Sequence, residues 1–263
     1  MKVIISDLDG TLLDHQTYAW EAARPAVEML KSRNIPLVLC TSKTRAEVEQ
    51  WRVELGNTHP FIVENGGALF IPRGYFPFSP GFAKSIDEYE VVKFGEEYSE
   101  LVKALNAAAQ EAGCRVRGFS ELSAEEVAEA TGLPLEEARL ARQREYDEVF
   151  ELLAGDAATL RNAIVSRGKR CIQGGRFFHI TGNNDKGLAV TVLIRFYRQV
   201  HRDVVSIGLG DSLNDVEFLM AADFPVLVRS QHSSTLKQAI PRGILTEHPG
   251  PQGWNTAVLQ LIP

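Results

Sequence analysis

The chain has 263 residues, of which 44% are hydrophobic and 24% charged, and a formal net charge of −6. That suits one large globular domain, or a domain with an insertion, and the acidic balance disfavours nucleic-acid binding. Cys40, Cys114 and Cys171 are scattered with no C-x-x-C pair, the apolar runs fall short of the ~20 residues of a membrane helix, and Met1-Lys2 with a four-residue run is too short for a signal peptide; a cytoplasmic protein without disulfides or zinc is expected.

The first apolar run ends at Asp7, in Ser6-Asp7-Leu8-Asp9-Gly10-Thr11. Side chains alternate along a strand, so Asp7 and Asp9 can share one direction at its carboxyl end, where open α/β sheets place their chemistry. Two carboxylates there can hold a divalent cation, and one can attack while the other moves protons. An Asp-rich turn is the plain alternative; a calcium loop is disfavoured because Leu12 and Leu13 interrupt it. Residues 21–33 have helical spacing, with Pro25 tolerable only in the first turn. A second strand spans 35–40 and delivers Thr41-Ser42-Lys43-Thr44, whose hydroxyls and backbone N–H groups can bind phosphate oxygens or cap a helix. Thr44-Arg45-Ala46-Glu47 matches a capping box and opens a helix to about Leu55. Strand 61–63, the Glu64-Asn65-Gly66-Gly67 turn and another apolar run at 68–71 follow.

Residues 72–82 contain Pro72, Pro77 and Pro80 and read as a connector. From about 84 to 181 come Glu/Ala/Arg-rich helices at 101–112, 123–130 and 135–145, mixed with short strands, and Gly174-Gly175 suggests a hairpin turn between 170–173 and 176–180. The expected organisation is a doubly wound α/β core from residues 1–83 and 182–263, Rossmann-like with a parallel sheet, carrying an inserted α/β lobe at 84–181. The rhythm resumes with a helix at 186–198. A lysine at its start opposes the helix dipole, a poor structural choice that favours a functional role for Lys186. Strand 204–209 then leads into Gly210-Asp211-Ser212-Leu213-Asn214-Asp215, and a further strand spans 225–228. Asp211 is a candidate metal ligand facing Asp7, with Asn214 and Asp215 orienting that shell; helix capping is compatible with this. Gly208-Leu209-Gly210 lacks the third glycine of a dinucleotide fingerprint, because Leu213 stands there.

Taken together, Asp7-Leu8-Asp9-Gly10-Thr11, Thr41-Ser42, Lys186-Gly187 and Gly210–Asp215 resemble the haloacid dehalogenase superfamily of phosphotransferases. The resemblance implies Asp7 as nucleophile through an aspartyl-phosphate, Asp9 as general acid/base, and magnesium as cofactor. Asp7, Asp9 (through its backbone oxygen), Asp211 and Asp215 are then the candidate metal site. Thr41 or Ser42, Lys186 and Asn214 are the candidate phosphate contacts. The inserted lobe resembles the large-cap branch, which includes sugar phosphatases. Thr41-Ser42-Lys43-Thr44, Glu64-Asn65-Gly66-Gly67, Arg144–Glu148, Gly174-Gly175-Arg176-Phe177 and Gly250–Asn255 further resemble the mannosyl-3-phosphoglycerate phosphatase family, whose members release phosphate and mannosylglycerate. Another sugar-phosphate phosphatase, a sugar phosphomutase and a non-catalytic binding module are the alternatives. For a phosphorylated sugar-acid substrate, Lys43, Arg139, Arg142, Arg170 and Arg176 are candidate carboxylate clamps, because Arg offers a planar fork. Asn65, Gly66 and His179 are candidate sugar contacts, His179 being equally suited to a satisfied core position.

Overall fold

The computed structural model describes residues 1–173 and 177–262. The first half of the chain runs β1 (Lys2–Ser6), α1 (Arg24–Ser32), β2 (Leu37–Cys40), α2 (Arg45–Glu54), β3 (Phe61–Val63), β4 (Ala68–Pro72), β5 (Lys84–Ile86), β6 (Tyr89–Lys93), α3 (Tyr98–Ala112), β7 (Arg115–Gly118), α4 (Ala124–Thr131) and α5 (Leu135–Ala141). The second runs β8 (Asp147–Ala154), α6 (Ala157–Val165), β9 (Arg170–Gln173), β10 (Phe178–Thr181), α7 (Lys186–Val200), β11 (Val205–Gly210), α8 (Val216–Ala221), β12 (Phe224–Arg229), α9 (Ser233–Ala239), β13 (Ile244–Pro249) and α10 (Gly250–Leu261).

A nine-stranded sheet in the order β13-β12-β11-β1-β2-β3-β4-β6-β5 forms the centre, and its first six strands are parallel. Strands buried on both faces explain the unbroken apolar runs. Ile4, Leu37 and Leu39 face α1, α2 and α10, while Val3, Ile5, Val38 and Cys40 face α7 and α8. From the first layer, the Trp254 indole N–H donates to Ser6 Oγ at 2.9 Å, so α10 braces the end of β1. Strand β1 pairs in parallel with β11, Ser6 opposite Leu209. The two Asp-bearing loops therefore leave neighbouring strands side by side.

The second sheet, β7-β8-β10-β9, is antiparallel. Helices α3 and α6 cover one face through Leu105, Ala108, Leu160 and Ile164 against Phe150 and Ile180. The other face meets α4 and α5 through Val127, Ala138 and Val149.

The lobe begins later than residue 84. Strand β6 extends the large sheet by antiparallel pairing with β4, and β5 pairs antiparallel with β6 at the edge, so residues 73–83 form a loop at the sheet edge and not a linker to the lobe. Tyr75 and Phe76 of that loop pack edge-on against Tyr197 of α7, and Phe78 against Phe196. The helix expected to reach Glu145 stops at Ala141, because the chain beyond it is drawn into the core: Tyr146 is buried there, and Glu64 takes the amides of Glu145 and Tyr146. The Gly174-Gly175 turn and Arg176 lie outside the described residues.

Candidate active site

Asp7 leaves β1 as Asp211 leaves β11, and Lys186 opens α7 behind an Asp185 cap that accepts the Leu188 amide at 2.7 Å. The Lys186 ammonium donates to Asp7 Oδ1 at 2.7 Å and to Asp215 Oδ1 at 2.6 Å. Asp215 Oδ2 accepts the Asp211 and Ser212 amides at 3.0 and 2.9 Å, and Thr11 Oγ1 donates to Asp211 Oδ1 at 2.9 Å. All four charged side chains are buried. Gly10 makes the crowding possible: its φ is +77°, and a Cβ there would lie 2.7 Å from Asp211 Oδ2.

Donor oxygens of Asp7, Asp211 and Asp215 lie within 4.8 Å of one another. Burial pushes the Asp7 pKa well up, Lys186 opposes the rise, and Asp215 and Asp211 reinforce it. Asp211 is pushed up to about 7, by burial first and then by Asp215. Burial also opposes the Lys186 charge, yet Asp215 and Asp7 raise its pKa. Three carboxylates against one ammonium would leave a charge of −2 if all were ionised (3 − 1 = 2). A buried all-oxygen set with excess negative charge fits a hard divalent cation such as magnesium and does not fit structural zinc. Asp215 already serves the lysine and the loop amides, so Asp7 and Asp211 are the carboxylates better placed to hold that ion.

The Asp9 carboxylate lies outside this cluster and pairs with Lys43 at 3.0 Å, while its Oδ1 is buried without a partner among the described residues. Lys43 also approaches Glu47, at 3.6 Å. Thr41 is buried and its Oγ1 accepts the Lys43 amide, whereas Ser42 is half-buried and its carbonyl accepts from Arg144. The Thr44 capping box forms as expected.

Asn65 is a junction. It stands in a left-handed turn with Glu64 and Gly66, at φ of +55°, +47° and +81°. Its amide donates to Asp147 Oδ2 at 2.7 Å, its side-chain oxygen accepts from Asn214 at 3.0 Å, and its carbonyl accepts from Asn184 at 3.2 Å. Asp147 also meets His179 Nδ1 at 3.0 Å and Arg144 at 3.8 Å. Burial would raise the Asp147 pKa, but His179, Arg144 and Asn65 hold it below the usual carboxylate range.

A cavity of about 270 Å³ separates lobe from core, lined among others by Asn65, Arg170, Ile172, Lys186, Asn214 and Glu217. Of the expected carboxylate clamps, Arg170 reaches it but is already paired with Glu217 at 2.5 Å and Asp185 at 3.3 Å. Arg139 is exposed and paired with Glu136, and Arg142 is exposed at the end of α5; neither lines this cavity. Glu64, Arg144, Asp147 and Asn184 were absent from the expected site. Arg144 and Asp147 lay within a noted motif, where two opposite charges three residues apart on a segment ending a helix were the available signal.

A family model described as haloacid dehalogenase-like hydrolase matches residues 4–93. A Methanococcoides burtonii protein named glucosyl-3-phosphoglycerate/mannosyl-3-phosphoglycerate phosphatase is 46% identical, over 99% of this chain and 97% of its own length. A Pyrococcus furiosus mannosyl-3-phosphoglycerate phosphatase is 38% identical, over 87% and 91%. Among solved structures, a sucrose-phosphatase from Synechocystis in complex with sucrose and phosphate superimposes with a TM-score of 0.61 at 16% identity, over 98% of this chain and 96% of that one. That last likeness concerns the fold. The chain belongs to the haloacid dehalogenase-like hydrolases, within the family of glucosyl- and mannosyl-3-phosphoglycerate phosphatases.

Proposed function

We propose that this chain is a magnesium-dependent phosphatase that hydrolyses mannosyl-3-phosphoglycerate, and its glucosyl counterpart, to the sugar-glycerate and phosphate. The observation that carries the reading is the buried Asp7–Lys186–Asp215 chain beside Asp211, in a protein 46% identical along 99% of its length to a phosphatase of that name. Asp7 attacks phosphorus: its carboxylate oxygen forms the new P–O bond while the bond to the glycerate oxygen breaks. Asp9 delivers a proton to the departing oxygen, then takes one from the water that cleaves the aspartyl-phosphate. Lys186, held by two carboxylates, sets the Asp7 carboxylate and offers its charge to the phosphoryl oxygens, over which the transition state spreads negative charge. Asp7 and Asp211 would hold the magnesium, which when bound supplies further positive charge to those oxygens. Thr41 completes the phosphate cradle, and the lobe following Lys93 covers the site.

The test is phosphate release from mannosyl-3-phosphoglycerate, glucosyl-3-phosphoglycerate, free 3-phosphoglycerate and a panel of hexose phosphates. The two glycosides are expected to show the highest kcat/KM, and Asp7→Asn to abolish turnover. Preference for a simple hexose phosphate, or phosphate passed to a second sugar in place of water, would overturn the reading.

A further inference from the structure

Asn65 is buried, and each of its four polar atoms has a protein partner. Its backbone N–H donates to the Thr41 carbonyl at 3.0 Å, and its carbonyl accepts from Asn184 at 3.2 Å. The backbone is thereby tied to the loop after β2 and to the segment that leads into Lys186. The side chain joins two further pieces. It donates to Asp147 at the start of β8 at 2.7 Å, and it accepts from Asn214, in the loop after β11, at 3.0 Å. The Asn214 oxygen accepts from the Ser212 hydroxyl, and the Ser212 amide donates to Asp215. Asp215 holds Lys186, which holds Asp7. One continuous line of polar contacts thus runs from the lobe to the residue that attacks phosphorus. Its lobe end is anchored: Asp147 is fully buried against His179 and Arg144, and Arg144 also donates to the Ser42 carbonyl at 2.9 Å.

We infer that Asn65 is a positioning residue that makes the reaction centre depend on the seating of the lobe. A primary amide donates and accepts at once, so it can link a carboxylate, which accepts, to the Asn214 N–H, which donates. Asp147 fixes which way the Asn65 amide points, and the Asn65 oxygen then fixes Asn214. With the lobe displaced, the amide loses the acceptor that orients it, and the loop carrying Asp215 loses a tether. Lys186 and Asp7 follow that loop, and a displacement of about 1 Å at reacting atoms can cost on the order of 10²-fold in rate. The sugar contact expected of Asn65 gives way to this role, because its polar atoms are committed within the protein. The role concerns the phosphate end, so it applies to every phosphomonoester the enzyme accepts. It rests on the phosphatase reading and adds the residue that joins lobe to chemistry.

The experiment measures kcat and KM for mannosyl-3-phosphoglycerate and for p-nitrophenyl phosphate, which has no sugar, in wild type, Asn65→Gly, Asp147→Ala and the double variant. Rates are taken per folded molecule, from denaturant unfolding of the same preparations. Asn65 has φ of +55°, so glycine removes its side chain without straining the turn. Each single variant is expected to lose about tenfold in kcat on both substrates, with KM little changed. The double variant should lose no more than the worse single one, because both cut the same line. Should Asp147→Ala fail to fold, Asn65→Asp takes its place: it keeps an oxygen for Asn214 but sets a carboxylate against Asp147, and it too should lose kcat on both substrates. Unchanged kcat in Asn65→Gly or in the variant that cuts the lobe end would overturn the inference. So would a loss confined to the glycoside, which would return Asn65 to the sugar, or losses that multiply in the double variant. A wild type that turns over p-nitrophenyl phosphate and not the glycoside would overturn the substrate reading alone, and the p-nitrophenyl phosphate rates would still decide the coupling.

Discussion

Glu64 shows what a single residue does when burial overrides its ordinary chemistry. Its side chain is fully buried and accepts the Glu145 and Tyr146 amides. Burial pushes its pKa up to about 8, against the opposing pull of Arg144 and of those two amides. Between its ordinary value and about 8 the folded protein then holds a proton that the unfolded chain has released. By linkage, stability through this group is greatest at low pH and falls as pH rises across that window, by up to about 1.4 kcal/mol per pH unit. Glu64→Gln keeps an acceptor for the amides but cannot ionise. Urea unfolding at pH 5.5, 6.5 and 7.5 should show wild type losing stability relative to Glu64→Gln as pH rises. Parallel pH dependences would mean that the carboxyl is ionised throughout. Nothing near Glu64 in the sequence announces this role, because its partners lie about eighty positions away. Asp7, Asp211 and Lys186 stand out locally instead: the two aspartates follow apolar strands in polar turns, where a turn or cap role also suits them, and Lys186 opposes the dipole at a helix start. Asp147 was missed because it looks like the first residue of an ordinary strand until the lobe meets the core.

At the scale of elements, sequence pattern located most strands and helices and missed what docking alone determines. The Thr44 capping box formed as expected and a second one forms at Ser123 with Glu126, since each requires only residues three apart. The Pro-rich stretch after β4 was misread because a linker and an edge loop share one composition; the difference lies in Tyr75, Phe76 and Phe78 meeting α7. The turn from β3 to β4 carries a sharper constraint. Gly66 has φ of +81°, and a Cβ there would stand 2.2 Å from the Asp185 carbonyl oxygen and 2.7 Å from the Lys186 nitrogen. Gly66→Ala must therefore strain the turn and push the start of α7, which carries Lys186, away from Asp7. A stability loss of about 1–3 kcal/mol is expected from the conformational strain, together with a fall in turnover larger than the unfolded fraction explains. Denaturant unfolding and phosphate release on the same preparation separate the two. Full activity per folded molecule would show that the start of α7 need not stay in register with the turn.

For the whole molecule, the alternation of strands and helices was enough to foresee a parallel core interrupted by a lobe, because that rhythm follows from crossover geometry. The order of the strands and the seating of Tyr146 in the core were not foreseeable, since both depend on surfaces assembled from distant segments. The same assembly produces the buried carboxylate excess of Asp7, Asp211 and Asp215 over Lys186. In the metal-free protein that excess holds carboxyls protonated or costs stability through repulsion. A cation that binds the folded chain and not the unfolded one must then stabilise it, by about 2.7 kcal/mol at a hundred times its dissociation constant. Thermal unfolding with excess magnesium should occur several degrees higher than with a chelator, whether or not substrate is present. Asp211→Asn removes one carboxylate from the cluster while keeping an acceptor for Thr11. It should weaken the response to magnesium severalfold and should raise the melting temperature of the metal-free protein, because one source of repulsion is gone. A wild-type protein indifferent to magnesium would break the link between this cluster and the ion. A variant that responds to magnesium as strongly as wild type would move the ion away from Asp211.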